Sequence, residues 1–139
     1  MIHLIKLAVG VRNAAHLAAL QSARAAATPP LRHFTRNFPK RAAELTDGGS
    51  IYWVIGGVIL VRQRILDITQ DTDPEDGTPS TALVLAPELV RVEARAQRAF
   101  QGWRYLPPED APPDLTARNS DTAEMPEAMR RELAALGLL

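Results

Sequence analysis

A glycine pair inside a long apolar stretch is the feature that most constrains how this chain can fold. Residues 50–68 read SIYWVIGGVILVRQRILDI, with β-branched and aromatic residues on both sides of Gly56 and Gly57. Two glycines between segments of this kind are typical of a hairpin with a two-residue turn. The sequence therefore predicts two antiparallel strands that are long enough to form the centre of a sheet.

Counting pairs outward from this turn predicts the two faces of the hairpin. In a regular register Ile55 pairs with Val58 and Trp53 pairs with Leu60, and side chains alternate between the faces. One face is then expected to carry Trp53, Arg62 and Arg64. The other face, which is the better core face, is expected to consist of Tyr52, Val54, Ile59, Val61 and Ile65.

Local signals predict the remaining elements. Asn13 is a favourable N-cap for the alanine-rich segment 14–27, and Pro29 and Pro30 follow that segment. The other predicted elements are a strand at 2–9, an extended basic segment at 31–38, a short helix from Pro39 to residue 45, a polar loop at 70–80, and two strands at 81–97 with a bend at Pro87.

These elements predict an α+β domain at residues 1–115, with a mostly antiparallel sheet that closes into a small barrel and has flanking helices. Residues 116–139 are expected to form a flexible segment and a C-terminal helix packed on or beside that domain. A chain of 139 residues without cysteine suits one domain in a reducing compartment. No apolar run is long enough to cross a bilayer, so we expect a cytoplasmic protein with no membrane partner.

Charge is divided unevenly along the chain, although the formal net charge is zero. Residues 1–64 contain nine Lys or Arg and two acidic residues, whereas residues 65–139 contain seven Arg and fourteen acidic residues. This division favours either a basic face for an anionic partner or two halves that fold against each other and partly cancel.

Aromatic residues occur close to arginines in three places. Three of the seven aromatics lie in RAFQGWRYL at residues 98–106, and two others lie in LRHFTRNF at residues 31–38. Arginine binds phosphate through paired hydrogen bonds, and aromatic faces stack on bases. Aromatic residues also pack in cores, so packing is the alternative interpretation. The candidate ligand-binding residues are Arg36, Lys40, Arg41, Glu44, Tyr52, Trp53, Arg62, Arg64, Trp103 and Arg104.

Common catalytic, cofactor and metal motifs are missing from the sequence. His3, His16 and His33 lack the spacing of a zinc pair, and no glycine-rich phosphate loop is present. The acidic segment DTDPEDG starts like a calcium loop, but Asp76 replaces the required glycine and Ala82 replaces the final glutamate. We therefore expect no cofactor and no metal.

Four stretches resemble the domain-of-unknown-function family 1489, small proteins associated with alphaproteobacteria. They are IHLIKLAVG, RAAELTDGGSIYWVIGGVILVRQRILDI, ALVLAPELVR and RAFQGWRYLPPEDAPPDL. Members of the family often have proline where this chain has Ala99, and the resemblance implies no reaction. The order of a helix, a short basic helix and a glycine-marked strand pair also resembles PUA-like domains, which include the PUA, ASCH and EVE domains. That resemblance implies a small barrel that binds RNA or modified bases.

Three functional hypotheses follow from the sequence. The first is a module that binds nucleic acid or a nucleotide, with stacking on Trp53 and Trp103. The cations expected to contact phosphate in that module are Arg36, Lys40, Arg41, Arg62 and Arg64. The second is a small hydrolase for a nucleoside-like substrate, with Glu44 as general base beside Lys40 or Tyr52. The third is a homodimeric interaction protein that associates through FQGWRYL and the proline-rich segment after it.

Overall fold

A computed structural model describes residues 1–115 of the chain. The predicted flexible segment and C-terminal helix lie outside these residues. In chain order the elements are β1 (His3–Leu7), α1 (Ala14–Ala27), β2 (Arg32–Thr35), α2 (Ala42–Thr46), β3 (Ser50–Ile55), β4 (Val58–Thr72), β5 (Pro79–Leu85), β6 (Val90–Ala96) and β7 (Trp103–Leu106), followed by a 3₁₀ turn at Pro108–Asp110. Within residues 1–115 no helix is long and apolar enough to span a membrane.

The strands of residues 1–115 form one seven-stranded sheet in the order β2-β5-β4-β3-β1-β7, and β6 pairs with β4 beside this path. All pairs are antiparallel except β1 with β3. The predicted α+β class with a mostly antiparallel sheet is therefore confirmed. The sheet does not close into the expected barrel, because β2 and β7 are the ends of the path and do not pair with each other in the part of the chain described.

Helix α1 has the bounds that the sequence predicts. The side-chain oxygen of Asn13 accepts a hydrogen bond from the His16 backbone N–H at 2.8 Å, which satisfies one of the open donors of the first turn. At the other end the Thr28 N–H donates to the Arg24 carbonyl at 2.9 Å. Leu17 and Gln21 are the buried residues of the helix, so this face packs on the sheet.

The hairpin turn is confirmed, but its predicted register is wrong beyond the first two pairs. Gly56 and Gly57 both have positive φ, as the expected turn type requires, and Ile55 pairs with Val58. A β-bulge at Leu60 then makes Trp53 pair with Val61. The register against β6 shifts at the same place, but there the extra residues lie on β6, where residues 92–94 face Leu60 alone.

The bulge changes which side chains share a face. Tyr52 now lies opposite Arg62, and Ile51 lies opposite Gln63. Since a one-residue shift reverses the facing of every later side chain, Arg62 leaves the face of Trp53. Trp53, Arg62 and Arg64 therefore do not form the single face that a regular register predicts.

The sheet is strongly bent, although it is open. Adjacent strands lie about 4.8 Å apart, so β2 and β3, three positions apart in the order, would be roughly 14 Å apart in a flat sheet. The rings of His33 on β2 and Trp53 on β3 nevertheless contact edge to face at 5.1 Å. Bulges at Leu60 and Leu66 bend β4 between these strands and bring β2 over the face of β3.

Buried side chains form a cluster on each face of the sheet. The larger cluster packs under the helices and includes Leu4, Leu17, Leu45, Trp53 and Leu83. The smaller cluster consists of Ile5, Tyr52, Val54, Ile59 and Val92, and the partly buried Phe100 packs against it.

Residue 49, between α2 and β3, has to be a glycine. A Cβ atom at Gly49 would collide with the carbonyl oxygens of Ile2 and Leu45.

A fully buried carboxamide connects the helix to three parts of the sheet. Gln63 and Gln21 exchange two hydrogen bonds of 2.8 Å. The Gln63 oxygen also accepts from Trp53 Nε1 at 3.1 Å, and its nitrogen donates to the Ala86 carbonyl at 2.7 Å. Gln63 is 0% exposed, so each of these polar groups would lack a partner without it.

Replacing Gln63 with leucine is expected to lower the free energy of unfolding by about 2–4 kcal/mol, because it leaves the Trp53 N–H, the Ala86 carbonyl and the Gln21 amide buried without partners. Urea denaturation measures this loss. The control is Gln70→Leu, which changes an exposed residue of the same strand and should shift stability by less than about 0.5 kcal/mol. Equal effects of the two changes would contradict this account.

Candidate ligand-binding cavity

The bend in the sheet leaves a cavity between α1, the end of β1 and β2. Its volume is about 120 Å³. Apolar side chains, among them Leu17, Leu31 and Leu85, form part of its wall. The polar and aromatic side chains that line it are Lys6, Gln21, Arg24, Arg32, His33 and Trp53.

A second and larger depression adjoins this cavity on the outside. It has a volume of about 310 Å³ and shares Arg24, Arg32 and His33 with the inner cavity. Phe34 forms part of its wall, and the β4–β5 turn at residues 73–75 forms its rim. The two depressions are therefore adjacent and share three basic side chains, and we treat them together as the inner and outer parts of one candidate site.

Lys6 is a half-buried charge in a central strand. Lys6 pairs with Trp53 of β3 on one side and with Trp103 of β7 on the other. Because paired residues of adjacent strands lie on the same face of a sheet, all three side chains lie on the face under α1. Burial lowers the pKa of Lys6 below its ordinary value. The ion pairs of residues 1–115 do not include Lys6, so no carboxylate offsets this desolvation.

His33 has the most perturbed environment in the cavity. Part of the residue is exposed, but its Nε2 atom is buried and has no hydrogen-bond partner within the described part of the chain. Burial, with smaller contributions from the positive charges of Lys6 and Arg24, lowers the pKa of His33 to about 4. The imidazole is therefore neutral at pH 7, and its buried nitrogen keeps an unsatisfied hydrogen-bonding position.

Two arginines add positive charge at the mouth. Arg24 lies in the last turn of α1 and has no ion pair within residues 1–115. Arg32 donates from Nη1 to Asp71 at 3.0 Å, and its guanidinium lies over the Phe34 ring at 5.6 Å. Because a guanidinium has five N–H donors, Arg32 retains donors for a ligand.

Of the ten predicted ligand-binding residues, only Trp53 lines the inner cavity, and its ring is 3% exposed. The indole is therefore part of the cavity wall and packs against His33. Trp103 is half-buried and contacts Tyr105 edge to face at 5.1 Å. Arg104 lies over the Phe100 ring at 4.8 Å. The aromatic residues of RAFQGWRYL thus pack within the chain rather than around the cavity.

Tyr52 and Arg62 belong to a polar cluster on the opposite face of the sheet. Arg62 donates two hydrogen bonds to Asp114, of 2.6 and 2.7 Å, and one to Ser50 at 3.0 Å. His3 accepts a hydrogen bond from the Ser50 backbone N–H at 3.0 Å and contacts the Tyr52 ring at 5.0 Å. This cluster fastens the segment after β7 to the sheet.

Arg41 and Glu44 form an exposed ion pair beside β7. Arg41 Nη2 donates to Glu44 at 2.7 Å, its backbone N–H donates to the Tyr105 hydroxyl at 3.1 Å, and its guanidinium lies over the Tyr105 ring. The hydrogen bond from Arg41 lowers the pKa of Glu44. A general base needs the opposite shift, so this contact weakens the basis for the hydrolase hypothesis.

The three remaining predicted residues, Arg36, Lys40 and Arg64, are exposed at separate places. Arg36 follows β2, Lys40 precedes α2, and Arg64 lies on β4. Arg64 faces away from Gln63, because adjacent residues of a strand point to opposite faces. The structure therefore does not gather the predicted cations into one site.

Sequence reasoning missed Lys6, Arg24, Arg32 and His33 as site residues. Two signals were present. Lys6 is the only residue of the apolar run 4–9 that carries a formal charge, and Arg32 and His33 lie in the basic segment before α2. The role of Arg24 depends on the packing of α1 on the bent sheet, which no local pattern specifies.

Acidic side chains of the predicted loop stabilise a turn. Asp73 accepts a hydrogen bond from the Glu75 N–H at 2.9 Å, and Asp76 accepts from the Thr78 N–H at 2.9 Å. Within residues 1–115 no group of three or more His, Asp or Glu side chains is placed to bind a metal ion.

Comparison with known proteins gives one match. A family model described as "Protein of unknown function (DUF1489)" matches residues 4–139. No curated protein and no solved structure matches the chain. The first resemblance drawn from the sequence is confirmed, whereas the likeness to PUA-like domains stays a prediction.

The buried imidazole predicts a pH dependence of stability. The pKa of His33 is about 4 in the folded protein and about 6.5 in an unfolded chain, so the unfolded state binds more protons between these values. The free energy of unfolding should therefore fall as the pH falls through this window. From pH 7 to pH 5 the wild type should lose about 2 kcal/mol more than His33→Gln in urea denaturation.

His3 also has a lowered pKa, but it is present in both proteins and cancels in the difference. Identical losses in the two proteins would show that His33 is not buried as a neutral imidazole. An NMR titration of the His33 ring gives an independent measure of the same pKa.

Proposed function

This chain belongs to the DUF1489 family of proteins of unknown function, and we propose that it is a binding module for small phosphate-bearing ligands of the nucleotide class. The observation that carries this function is the convergence of Lys6, Arg24, Arg32 and His33 on one cavity. No carboxylate from the described residues lines the inner part of that cavity. A negative group of a ligand would there meet Lys6 and Arg24, which have no ion pair within residues 1–115, and Arg32, which also pairs with Asp71.

The basic residues suit a phosphate group. Arg24 and Arg32 can each donate two parallel hydrogen bonds to phosphate oxygens, and the ammonium group of Lys6 supplies a compact charge. Lys6 is half-buried, and charge interactions are stronger where water is partly excluded. A phosphate bound here would also offset the desolvation of Lys6.

The outer depression suits a planar ring. Phe34 is partly exposed there, and the Arg32 guanidinium already lies over its face. A base can stack on such a ring or on the guanidinium plane. Asp73 and Glu75 at the rim carry acceptors for amino or hydroxyl groups. The unpartnered Nε2 of His33 offers a hydrogen bond between the two parts.

This function is tested by isothermal titration of the wild-type protein with AMP and with adenosine, and of the variants Arg24→Gln and Arg36→Gln with AMP. We expect AMP to bind and adenosine to bind at least about tenfold more weakly, which corresponds to about 1.4 kcal/mol for the phosphate. Arg24→Gln should weaken AMP binding by about tenfold, since it removes a charged donor to phosphate. Arg36→Gln removes an exposed arginine outside the cavity and should leave AMP affinity within about twofold. Absence of AMP binding, or an equal loss in both variants, would overturn the assignment.

A nucleic-acid strand is the second candidate ligand. Of the five cations predicted to contact phosphate, Arg41 and Arg62 are engaged with Glu44 and Asp114, which leaves Arg36, Lys40 and Arg64 as exposed cations with no ion pair within residues 1–115. These three cations lie at separate places, so a nucleic-acid strand would contact them as isolated phosphate-binding points outside the cavity.

Filter binding to total RNA over a salt series tests this second candidate. If RNA binds along these cations, affinity falls with salt, and replacing Arg36, Lys40 and Arg64 together by glutamine should make the slope of log affinity against log salt shallower by about 2. The Arg24→Gln protein serves as the comparison, because it changes the cavity and keeps these three residues. RNA affinity that is absent at low salt, or that does not change with salt, excludes this candidate.

A further inference from the structure

Lys6 is half-buried in a strand, whereas a lysine that only binds an anion can do so from an exposed position. The chain has two lysines, Lys6 and Lys40, and fourteen arginines. Lys40 is exposed, whereas Lys6 lies half-buried in the cavity beside an imidazole. A guanidinium stays protonated in proteins, but the amine of a desolvated lysine can lose its proton and act as a nucleophile.

We propose that Lys6 is the nucleophile of a covalent site, where it forms an imine with a small aldehyde or ketone that bears an anionic group. Imine formation rests on the proposed function, because Arg24 and Arg32 would bind the anionic group of the same ligand. The carbonyl carbon would then lie in the inner cavity near Lys6, in the part lined by Trp53 and the apolar side chains.

The reaction is a condensation without change of oxidation state. The lone pair of Lys6 Nζ forms a bond to the carbonyl carbon, and the carbonyl oxygen takes up a proton to give a carbinolamine. The C–O bond then breaks, and a C=N bond forms. Both hydrogens of the neutral amine leave with that oxygen as one molecule of water.

The surroundings of Lys6 favour its attack on the carbonyl carbon. Burial lowers the pKa of Lys6, which increases the fraction of neutral amine near pH 7. The charged or titratable groups that share its cavity are His33 and Arg32 from β2 and Arg24 from α1, and none of them is a carboxylate. Solvent water carries the proton from the attacking nitrogen to the departing hydroxyl, because the His33 imidazole, with a pKa of about 4, is too weak a base for this transfer near pH 7.

Pyridoxal 5′-phosphate followed by borohydride reduction tests this site, because reduction converts an imine into a stable mass adduct. Intact mass and peptide mapping of the wild-type protein compare three amines in one molecule, namely the Met1 amine, Lys6 and Lys40. We expect Lys6 to react roughly tenfold faster than Lys40, because burial lowers the pKa of Lys6 and leaves more of it as the neutral, nucleophilic amine. Pyridoxal without phosphate should label Lys6 more slowly, and AMP should protect Lys6.

Three variants complete the experiment. Lys6→Arg keeps the positive charge and should abolish the adduct at this position, whereas Lys40→Arg should leave the adduct at Lys6 unchanged. His33→Gln replaces a neutral imidazole with a neutral amide and should leave Lys6 labelled faster than Lys40. The wild-type comparison of Lys6 with Lys40 needs no variant, so a variant that fails to fold does not affect it.

Failure of imine formation and failure of ligand binding give different results. If AMP binds but the three amines react equally, Lys6 is not a nucleophilic site and the binding function stands. If AMP does not bind and Lys6 is not selectively labelled, both assignments are wrong. Selective labelling of Lys6 that is equally fast with pyridoxal and its phosphate would overturn the anionic-carbonyl assignment, since the arginines would then not contribute.

Discussion

The carboxamide of Gln63 joins parts of the fold that are far apart in sequence. It forms hydrogen bonds with Gln21 on α1, with Trp53 on β3 and with the carbonyl of Ala86 after β5. This single buried group therefore sets the position of the helix over the sheet and the orientation of the indole. The cavity depends on both, because α1 forms one of its walls and Trp53 forms another.

Local rules predict much of the secondary structure, because the signals there are short-range. The cap at Asn13, the bounds of α1 and the turn at Gly56 and Gly57 depend on a few adjacent residues. The bulge at Leu60 does not, since it must fit β3 on one edge of β4 and β6 on the other. The alternation of side chains between the two faces of the sheet is broken at that residue. Each later residue that the sequence analysis assigned to a face therefore lies on the other face.

The candidate site was harder to predict for a related reason. Its residues come from β1, α1, β2 and β3, and they meet only because β4 bends and brings β2 over the sheet. Aromatic content was a poor indicator, since Trp53 and Phe100 are mainly packing residues. A better indicator was a charge placed where the strand pattern predicts burial, which describes Lys6.

The placement of β1 has a consequence for how the chain is made. This strand lies between β3 and β7, and its pairing with β7 joins His3 to Leu106. During synthesis β1 therefore leaves the ribosome about a hundred residues before β7, its second neighbour. Contacts of such long sequence separation slow folding and leave an unpaired edge open to association with other nascent chains. The edge of β1 that later pairs with β7 is thus open to such association while the chain is being made.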